Sequence, residues 1–549
     1  MGFRNGLGSL FSLALLLSST QCLFRPGAGE PGGEVSLPRV LVIGDSISFQ
    51  YRPVLKKRLE GKARVFWLAG RKGKRINAGD TKRAIGNVRG ASLEDWLSVA
   101  GGDWDVITFN YGLHDVKFAG YKMTNKQVCS PEEYRLNLEY IVERLRATGA
   151  RLVWVRSTPL PGKKEGPRIP GDAAIFNAVA DRVLAKYPEI LEVDLFRSNL
   201  EHLDQQDMVH YRSPEGCERA AGLVAEAVEI VLDQLREGPK HPWLEEDTKE
   251  GKPSSLCLEE RFHGGRRLET WKRLSFGGKG GKVELVLYKR RGAWIRTFRL
   301  VSGRGGTEFL RERTVQVWGP GGWRNYRRTR TRRPGKDGRV VRLLQEWRDG
   351  AWKDTWKSVE RRWRGGSFMA RKTFAMVKGR WLEVFEEKEL LPGGRLEARS
   401  WFTPLGRRRL ERYRFSYSRD GQGRVKEVLG KRFYGGNWVK SFEFSRKAGG
   451  RGPRERWELW SWFEGKNDWV EVYRIERLRD EGGRLLRVRR WERIVGLGEK
   501  HPPLMDRRFR YDGNGRIVEE RLSLAVRREG RWTSIPAWVR TCSRGGGKR

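Results

Sequence analysis

The chain has 549 residues and a formal net charge of +43, a length that excludes one compact core and requires two or more domains. The charge is unevenly placed: residues 1–250 hold 35 Lys+Arg against 33 Asp+Glu, while residues 251–549 hold 76 against 35 and 18 of the 23 tryptophans. The two parts therefore face different partners. Beyond the N-terminus no apolar run is long enough for a membrane-spanning helix, and the five cysteines lack the Cys-x-x-Cys spacing of a structural zinc site.

In chain order, Arg4 precedes the apolar stretch GSLFSLALLL (8–17) and the small polar residues 18–20, the pattern of an export signal. Residues 1–22 are read as a signal peptide and 23–37, with RPGAGEPGGE, as a spacer. A secreted or cell-surface location is expected. Cys22 raises the question of a lipid anchor, but Gln21 stands where a small residue would be needed. The other four cysteines, Cys129, Cys217, Cys257 and Cys542, permit disulfides outside the cytoplasm.

Residues 38–238 alternate short apolar runs with helical patterns. Strands are predicted at 39–44, 64–69, 105–112, 151–158 and 190–194. Between them, residues 132–149 predict an amphipathic helix with Ser130 as cap, Pro131 in the first turn, Glu133 reaching back and Gly149 at the end. A last helix is predicted from Ser213-Pro214 to about Arg236. This alternation, with strands apolar on both faces, predicts a three-layer α/β domain around a parallel sheet. Its reactive groups belong at the carboxyl ends of the strands. There the sequence places GDS (44–46), NAGD (77–80), NYGLHD (110–115) and DQQDMVHYRSPEG (204–216).

Ser46 is the candidate nucleophile, and an alcohol needs a base to take its proton as it attacks. Of six histidines, only His210 has an acid three residues before it, Asp207, and a helix cap three after it. Asp207 can hold one ring nitrogen while the other faces Ser46. The ordered blocks resemble the SGNH, or GDSL, hydrolases over about residues 38–238. Gly44-Asp45-Ser46 matches the first block, Gly79 the second and Asp207-Met208-Val209-His210 the last. The third block, usually Gly-x-Asn-Asp, is Gly112-Leu113-His114-Asp115 here, like a bacterial subgroup that also shares TPLP (158–161). The resemblance implies a flavodoxin-like carboxylester hydrolase that needs no metal or other cofactor, with Ser46, Asp207 and His210 catalytic. The expected oxyanion donors are the N–H groups of Ser46 and Gly79 and the ring of His114, with Asn110 as fallback. Asp45 and Asp115 are expected to brace their loops.

A linker at 239–256 leads to a basic repeat at 257–543 and a tail at 544–549. Trp294, Trp323, Trp352 and Trp381 are 29 residues apart, and Trp438, Trp469 and Trp532 continue the series, each but Trp469 shortly after a glycine. A second marker lies between them, as in GQGR (421–424), EGGR (481–484) and GNGR (513–516). In RYRFSYS (412–418), Tyr413, Phe415 and Tyr417 alternate with polar residues, so each repeat is predicted to be a strand pair with glycine turns. The pattern loosely resembles Gly- and Tyr/Trp-marked β repeats of bacterial surface proteins, including the YD type, through Tyr511-Asp512.

About nine units are expected in an open stack of antiparallel strands, with the periodic tryptophans as core. The ends of such a stack lie too far apart for a Cys257–Cys542 bond, and Cys129 and Cys217, both beside predicted helix starts, are the better-placed pair. The expected function is a secreted esterase removing O-acetyl or other small acyl groups from carbohydrate. Its cationic array would bind a polyanion: acidic polysaccharide, cell surface or nucleic acid. The alternatives are a non-catalytic surface adhesion protein and a carbohydrate O-acyltransferase.

Overall fold

A computed structural model describes residues 36–544 except 87–89, 119–126, 161–166, 204–205, 208, 237–252, 264–265, 279–280, 291–292, 304–308, 333, 335–337, 364–366, 406–407, 435, 448–453, 464–467, 493–501 and 529–530. The expected signal peptide and nearly all of the spacer lie outside this set, as does most of the linker. The first part contains β1 (Arg39–Ile43), α1 (Ser46–Arg58), β2 (Arg64–Phe66), α2 (Thr81–Ala84), α3 (Leu93–Leu97), β3 (Val106–Phe109) and α4 (Pro131–Arg146). It continues through β4 (Arg151–Val155), α5 (Asp172–Leu184), β5 (Leu191–Val193), α6 (Leu195–Leu200), β6 (Gln206–Asp207), β7 (His210–Tyr211) and α7 (Pro214–Arg236).

Strands β1 to β5 form a parallel sheet in the order β2-β1-β3-β4-β5. Val40, Leu41, Val106, Ile107 and Val153 are wholly buried, as strands covered on both faces require. Helices α1 and α7 pack together, as do α4 and α5, which completes the three layers. The start of α4 has the capping box expected of it: Ser130 accepts the Glu133 N–H, and Glu133 accepts that of Ser130.

The second part is a closed barrel of twenty antiparallel strands, from Ser255–His263 to Arg531–Arg544. The strands pair as predicted, but the open stack does not form: the last strand pairs with the first, with Arg540 opposite Glu259 and Cys542 opposite Cys257. Ten hairpins rather than about nine units make up the ring. At the second glycine marker, Asp420, Asp480 and Asp512 each accept the N–H of the arginine four residues on, at 2.9, 2.8 and 3.0 Å. The glycine before each arginine has φ between 75° and 78°, which a side chain would disfavour.

The barrel wall grips the α/β domain through a repeated device. In nine of the hairpins one extra residue is inserted in the second strand: Thr270, Thr297, Tyr326, Thr355, Val384, Arg412, Ser441, Val472 or Ala537. Such a bulge turns two successive residues toward one face and sharpens the bend of the strand. The next residue is Trp271, Phe298, Arg327, Trp356, Phe385, Tyr413, Phe442, Tyr473 or Trp538, so all but one are aromatic. These side chains meet the enclosed domain. Trp356 Nε1 donates to Asp194 at 2.6 Å, Tyr413 Oη to Gln127 at 2.7 Å and Trp538 Nε1 to Glu143 at 2.8 Å. The buried guanidinium of Arg151, at the start of β4, lies 5.3 Å from the rings of both Trp271 and Phe298. One continuous core joins wall and domain.

The surplus of arginine in the wall has an internal use. Arg290 pairs with Asp105, Arg324 with Asp233, Arg327 with Glu192, Arg412 with Asp172, Arg490 with Glu139 and Arg507 with Glu143, at 2.5 to 3.4 Å. Arg412 departs from the alternation expected in RYRFSYS because it is the bulge residue and turns inward beside Tyr413. In the reverse direction Arg146 of α4 reaches Glu259 of the wall at 2.7 Å. Burial acts to raise the Glu259 carboxyl, but the Arg146 and Arg540 guanidiniums outweigh it and hold it at about 2.

The opposite face of the wall carries an apolar cluster of Leu274, Phe276, Leu285 and Leu287 and, elsewhere, many charged residues. Ion pairs there include Arg330–Glu312 at 3.0 Å and Arg409–Glu383 at 2.6 Å. The periodic tryptophans are half-buried: Trp294 and Trp323 pack against the apolar cluster of this face and Trp532 against the main core. Trp323 meets Trp318 edge-on and Trp352 meets Trp347, while Arg328 lies 4.4 Å from Trp352 and Lys357 4.5 Å from Trp381.

Both disulfide expectations are overturned. Cys257 and Cys542 are bonded across the closing seam, because ring closure makes residues 285 apart in sequence direct neighbours. Cys129 and Cys217 are free; Cys129 is buried, with Sγ 3.6 Å from Thr81 Oγ1. The Cys257–Cys542 loop of 285 residues gives a stabilisation of roughly 6 kcal/mol in the chain-entropy picture. Replacing Cys257 and Cys542 with Ser should therefore lower the melting temperature, and peptide mapping of the native protein should recover a Cys257–Cys542 crosslink. A melting temperature indifferent to the double substitution would show that the seam does not depend on the bond.

Candidate active site

Ser46 is the first residue of α1, directly after the turn that ends β1. The buried Asp45 caps the helix, accepting the Ile47 N–H at 2.9 Å, and Ser48 Oγ donates to the Asp45 carbonyl at 2.6 Å. The turn is thus fixed from both sides. Burial raises the Asp45 carboxyl and its bond to Ile47 opposes the shift. Asp45 therefore braces its loop.

His210 opens β7 and is exposed. Its Nε2 lies 2.8 Å from Ser46 Oγ, although the two are 164 residues apart. Gln50, one turn after Ser46 on α1, makes this possible. Its side chain accepts the Tyr211 N–H at 3.0 Å and donates to the Tyr211 carbonyl at 2.9 Å, tying the β7 backbone to α1. Gln50 escaped the sequence reading. Its signal was a polar residue at helical spacing from the candidate nucleophile. Asp207 stands directly opposite His210 in the β6–β7 ladder.

Gly79 has φ +71°, a backbone conformation that favours glycine. Its N–H donates to Asn77 Oδ1 at 2.7 Å. That bond fixes the amide of Asn77, whose Nδ2 comes 3.3 Å from His114 Nε2. On the far side of the ring, Lys117 Nζ lies 3.1 Å from His114 Nδ1. Burial first, then the charges of Lys117, Arg168 and Arg83, push the His114 pKa well down. The ring is therefore neutral. An ammonium can only donate, so Nδ1 is the acceptor and the single ring proton sits on Nε2. Asn77 Nδ2 and His114 Nε2 are then two donors at one place. Asn77 is the second residue the sequence reading did not single out, although an Asn two residues before a turn glycine signals such a side-chain turn.

The fallback donor Asn110 is committed elsewhere: its Nδ2 donates to the Val155 carbonyl at 2.6 Å and ties β3 to β4. Asp115 accepts from the N–H of Thr81 at 3.0 Å and from Thr81 Oγ1 at 2.5 Å, joining the loop after β3 to the start of α2. Burial, then the charge of Asp80, raises its carboxyl to about 7. Asp115 is likewise a brace. Among the described residues no cluster of three His, Cys, Asp or Glu could hold a metal ion.

No family model and no curated protein sequence matches the chain. Among solved structures, an acetyl xylan esterase, AlAXEase, is similar at 15% identity over 35% of this chain and 99% of its own, with a TM-score of 0.28. LAE5, an alpha/beta hydrolase from the metagenome of Lake Arreo, is similar at 18% identity over 36% and 95%, also with a TM-score of 0.28. A porin-like protein from Bacteroides uniformis is similar at 5% identity over 53% and 97%, with a TM-score of 0.24.

The state of His114 can be checked directly. In nitrogen-detected NMR its ring should stay neutral, with the proton on Nε2, from pH 8 down past pH 6. A titration midpoint at or above the ordinary histidine value of about 6.5 would overturn the assignment.

Proposed function

We propose that residues 38–238 are a secreted serine esterase of SGNH type that removes O-acetyl or other small acyl groups from carbohydrate. The observation that carries this reading is the 2.8 Å approach of His210 Nε2 to Ser46 Oγ at the carboxyl edge of the sheet. In the proposed mechanism His210 takes the Ser46 proton as Oγ attacks the ester carbonyl, and Asp207 holds the ring in the required tautomer. The oxyanion is met by the N–H of Ser46, at the start of α1, and by the Asn77 and His114 donors. Gly79 serves by aiming Asn77. Collapse of the intermediate expels the sugar hydroxyl, which recovers the proton from His210. Water, activated by the same base, then releases the acid. Export is supported by the Cys257–Cys542 bond, which needs an oxidising compartment to persist.

With purified full-length protein, Ser46→Ala and His210→Ala should each lower kcat on an acetyl ester by roughly 10⁴-fold or more, because nucleophile and base act as a unit. Asn77→Ala or His114→Ala should cost roughly 10²–10³-fold in kcat, the usual worth of one oxyanion donor, with little change in KM. Retention of activity by Ser46→Ala would sink the esterase reading. Transfer of the acyl group to an added oligosaccharide, without release of free acetate, would replace it with the transferase.

The outer face of the wall is proposed to meet a polyanion. Internal ion pairing leaves the net charge at +43, and a surface of that sign attracts acidic polysaccharide or nucleic acid. The whole protein should bind heparin, polygalacturonate or DNA with an affinity that falls steeply as salt is raised. Flow-through on all three at low ionic strength would remove this role.

A further inference from the structure

We infer that the barrel wall belongs to the catalytic apparatus, with Tyr473 as a positioning residue for the loops that carry Asn77 and His114. The inference rests on the esterase reading for its consequence, but the coupling itself is a matter of geometry. It begins in the wall beside Glu492, of the strand Leu485–Glu492, a buried carboxyl next to the Tyr473 hydroxyl. Tyr473, in the neighbouring strand Asp468–Arg479, donates to Asn137 Oδ1 on α4. Asn137 Nδ2 donates to Thr81 Oγ1 at 2.8 Å, and Thr81 Oγ1 donates to Asp115 Oδ1 at 2.5 Å. The donors Tyr473 Oη, Asn137 Nδ2 and Thr81 Oγ1 thus run in order from the wall to the site. Tyr473, Asn137, Thr81 and Asp115 are all fully buried. No water competes for these bonds, so each link fixes the next.

The chain ends where orientation matters. Thr81 lies two residues after Gly79, and Asp115 is the residue after His114. The Thr81–Asp115 pair therefore locks the two donor loops together. A second clamp acts on the same loop: Tyr413 of the wall donates to Gln127 Oε1 at 2.7 Å, and Gln127 Nε2 donates to the Val116 carbonyl at 3.3 Å. Phe118, two residues further on, lies against Tyr434, with the Arg432 guanidinium 4.4 Å from its ring. Both tyrosines follow a bulge, so the device that curves the wall also delivers the hydroxyls. A donor displaced by a fraction of an ångström no longer meets the developing charge, and the loss falls on kcat.

Tyr140 supplies the control. Its hydroxyl donates to the Ala525 carbonyl of the wall at 2.7 Å, an equally buried bond between domain and wall that leads to neither loop. The test compares Tyr473→Phe with Tyr140→Phe in the full chain, by ester kinetics and by amide hydrogen exchange at residues 77–82 and 113–116. Tyr473→Phe should lower kcat roughly tenfold to a hundredfold with KM within twofold, and should speed exchange in both loops. Tyr140→Phe should leave kcat and the exchange of those loops as in the wild type. Equal effects from both variants would reduce Tyr473 to a packing contact and overturn the inference, as would unchanged exchange in Tyr473→Phe. A wild-type protein that turns over no ester would instead sink the esterase reading, and the exchange readout would still decide whether the wall holds the loops.

Discussion

A barrel of twenty strands is too wide for its own side chains to fill, and this one closes round a folded domain. Its lumen must therefore match a surface with helices, loops and charges of its own. The wall meets that demand with one device used nine times. A bulge breaks the two-residue alternation, turns a pair of neighbours inward, and places an aromatic ring or an arginine against the domain. The same irregularity tightens the curve of the sheet. Shape and recognition thus come from a single inserted residue in each of nine hairpins.

This arrangement changes the meaning of the charge. By composition alone a cationic half reads as a surface for outside partners. Arg290, Arg327, Arg412, Arg490 and Arg507 instead face carboxylates of the same chain, in buried or half-buried contacts. A buried guanidinium is costly unless it is paired, and each of these has its partner. The enclosed domain keeps α1 and the His210 hairpin in contact with each other, bridged by Gln50, while α4 supplies a long series of contacts to the wall. Along α4, Glu133 meets Ser461, Asn137 meets Tyr473, Tyr140 meets Ala525, Glu143 meets Trp538 and Arg146 meets Glu259. The helix with the clearest start signal in the sequence is thus the one most enclosed by the wall.

Much of the α/β domain was legible because its signals are local. Buried strands of branched residues, a capping box at Ser130 and a glycine turn before Ser46 each act within a few residues. The closeness of Ser46 and His210 could be anticipated only from the order of the blocks. The role of Gln50 could not, since it depends on β7 crossing α1. In the repeat, strand pairing was legible from the glycine turns, but closure was not. A hairpin period is the same in an open stack and in a ring, and only the curvature per repeat decides between them. That curvature was written as an aromatic four residues after most of the marker tryptophans, as Trp352 with Trp356 and Trp469 with Tyr473. Read as alternation, it looks like a lapse in the pattern, and Arg412 looks solvent-facing.

The seam at Cys257 and Cys542 has a consequence for how the molecule is made. The wall's closing strand is also its last in sequence, so the ring cannot shut until every other strand has been synthesised. The domain it encloses comes first in the chain and emerges before any of the wall. Enclosure therefore requires no threading and no opening of a finished barrel: the hairpins are laid in sequence round an object already present, and oxidation of two thiols marks the moment when the last stave meets the first.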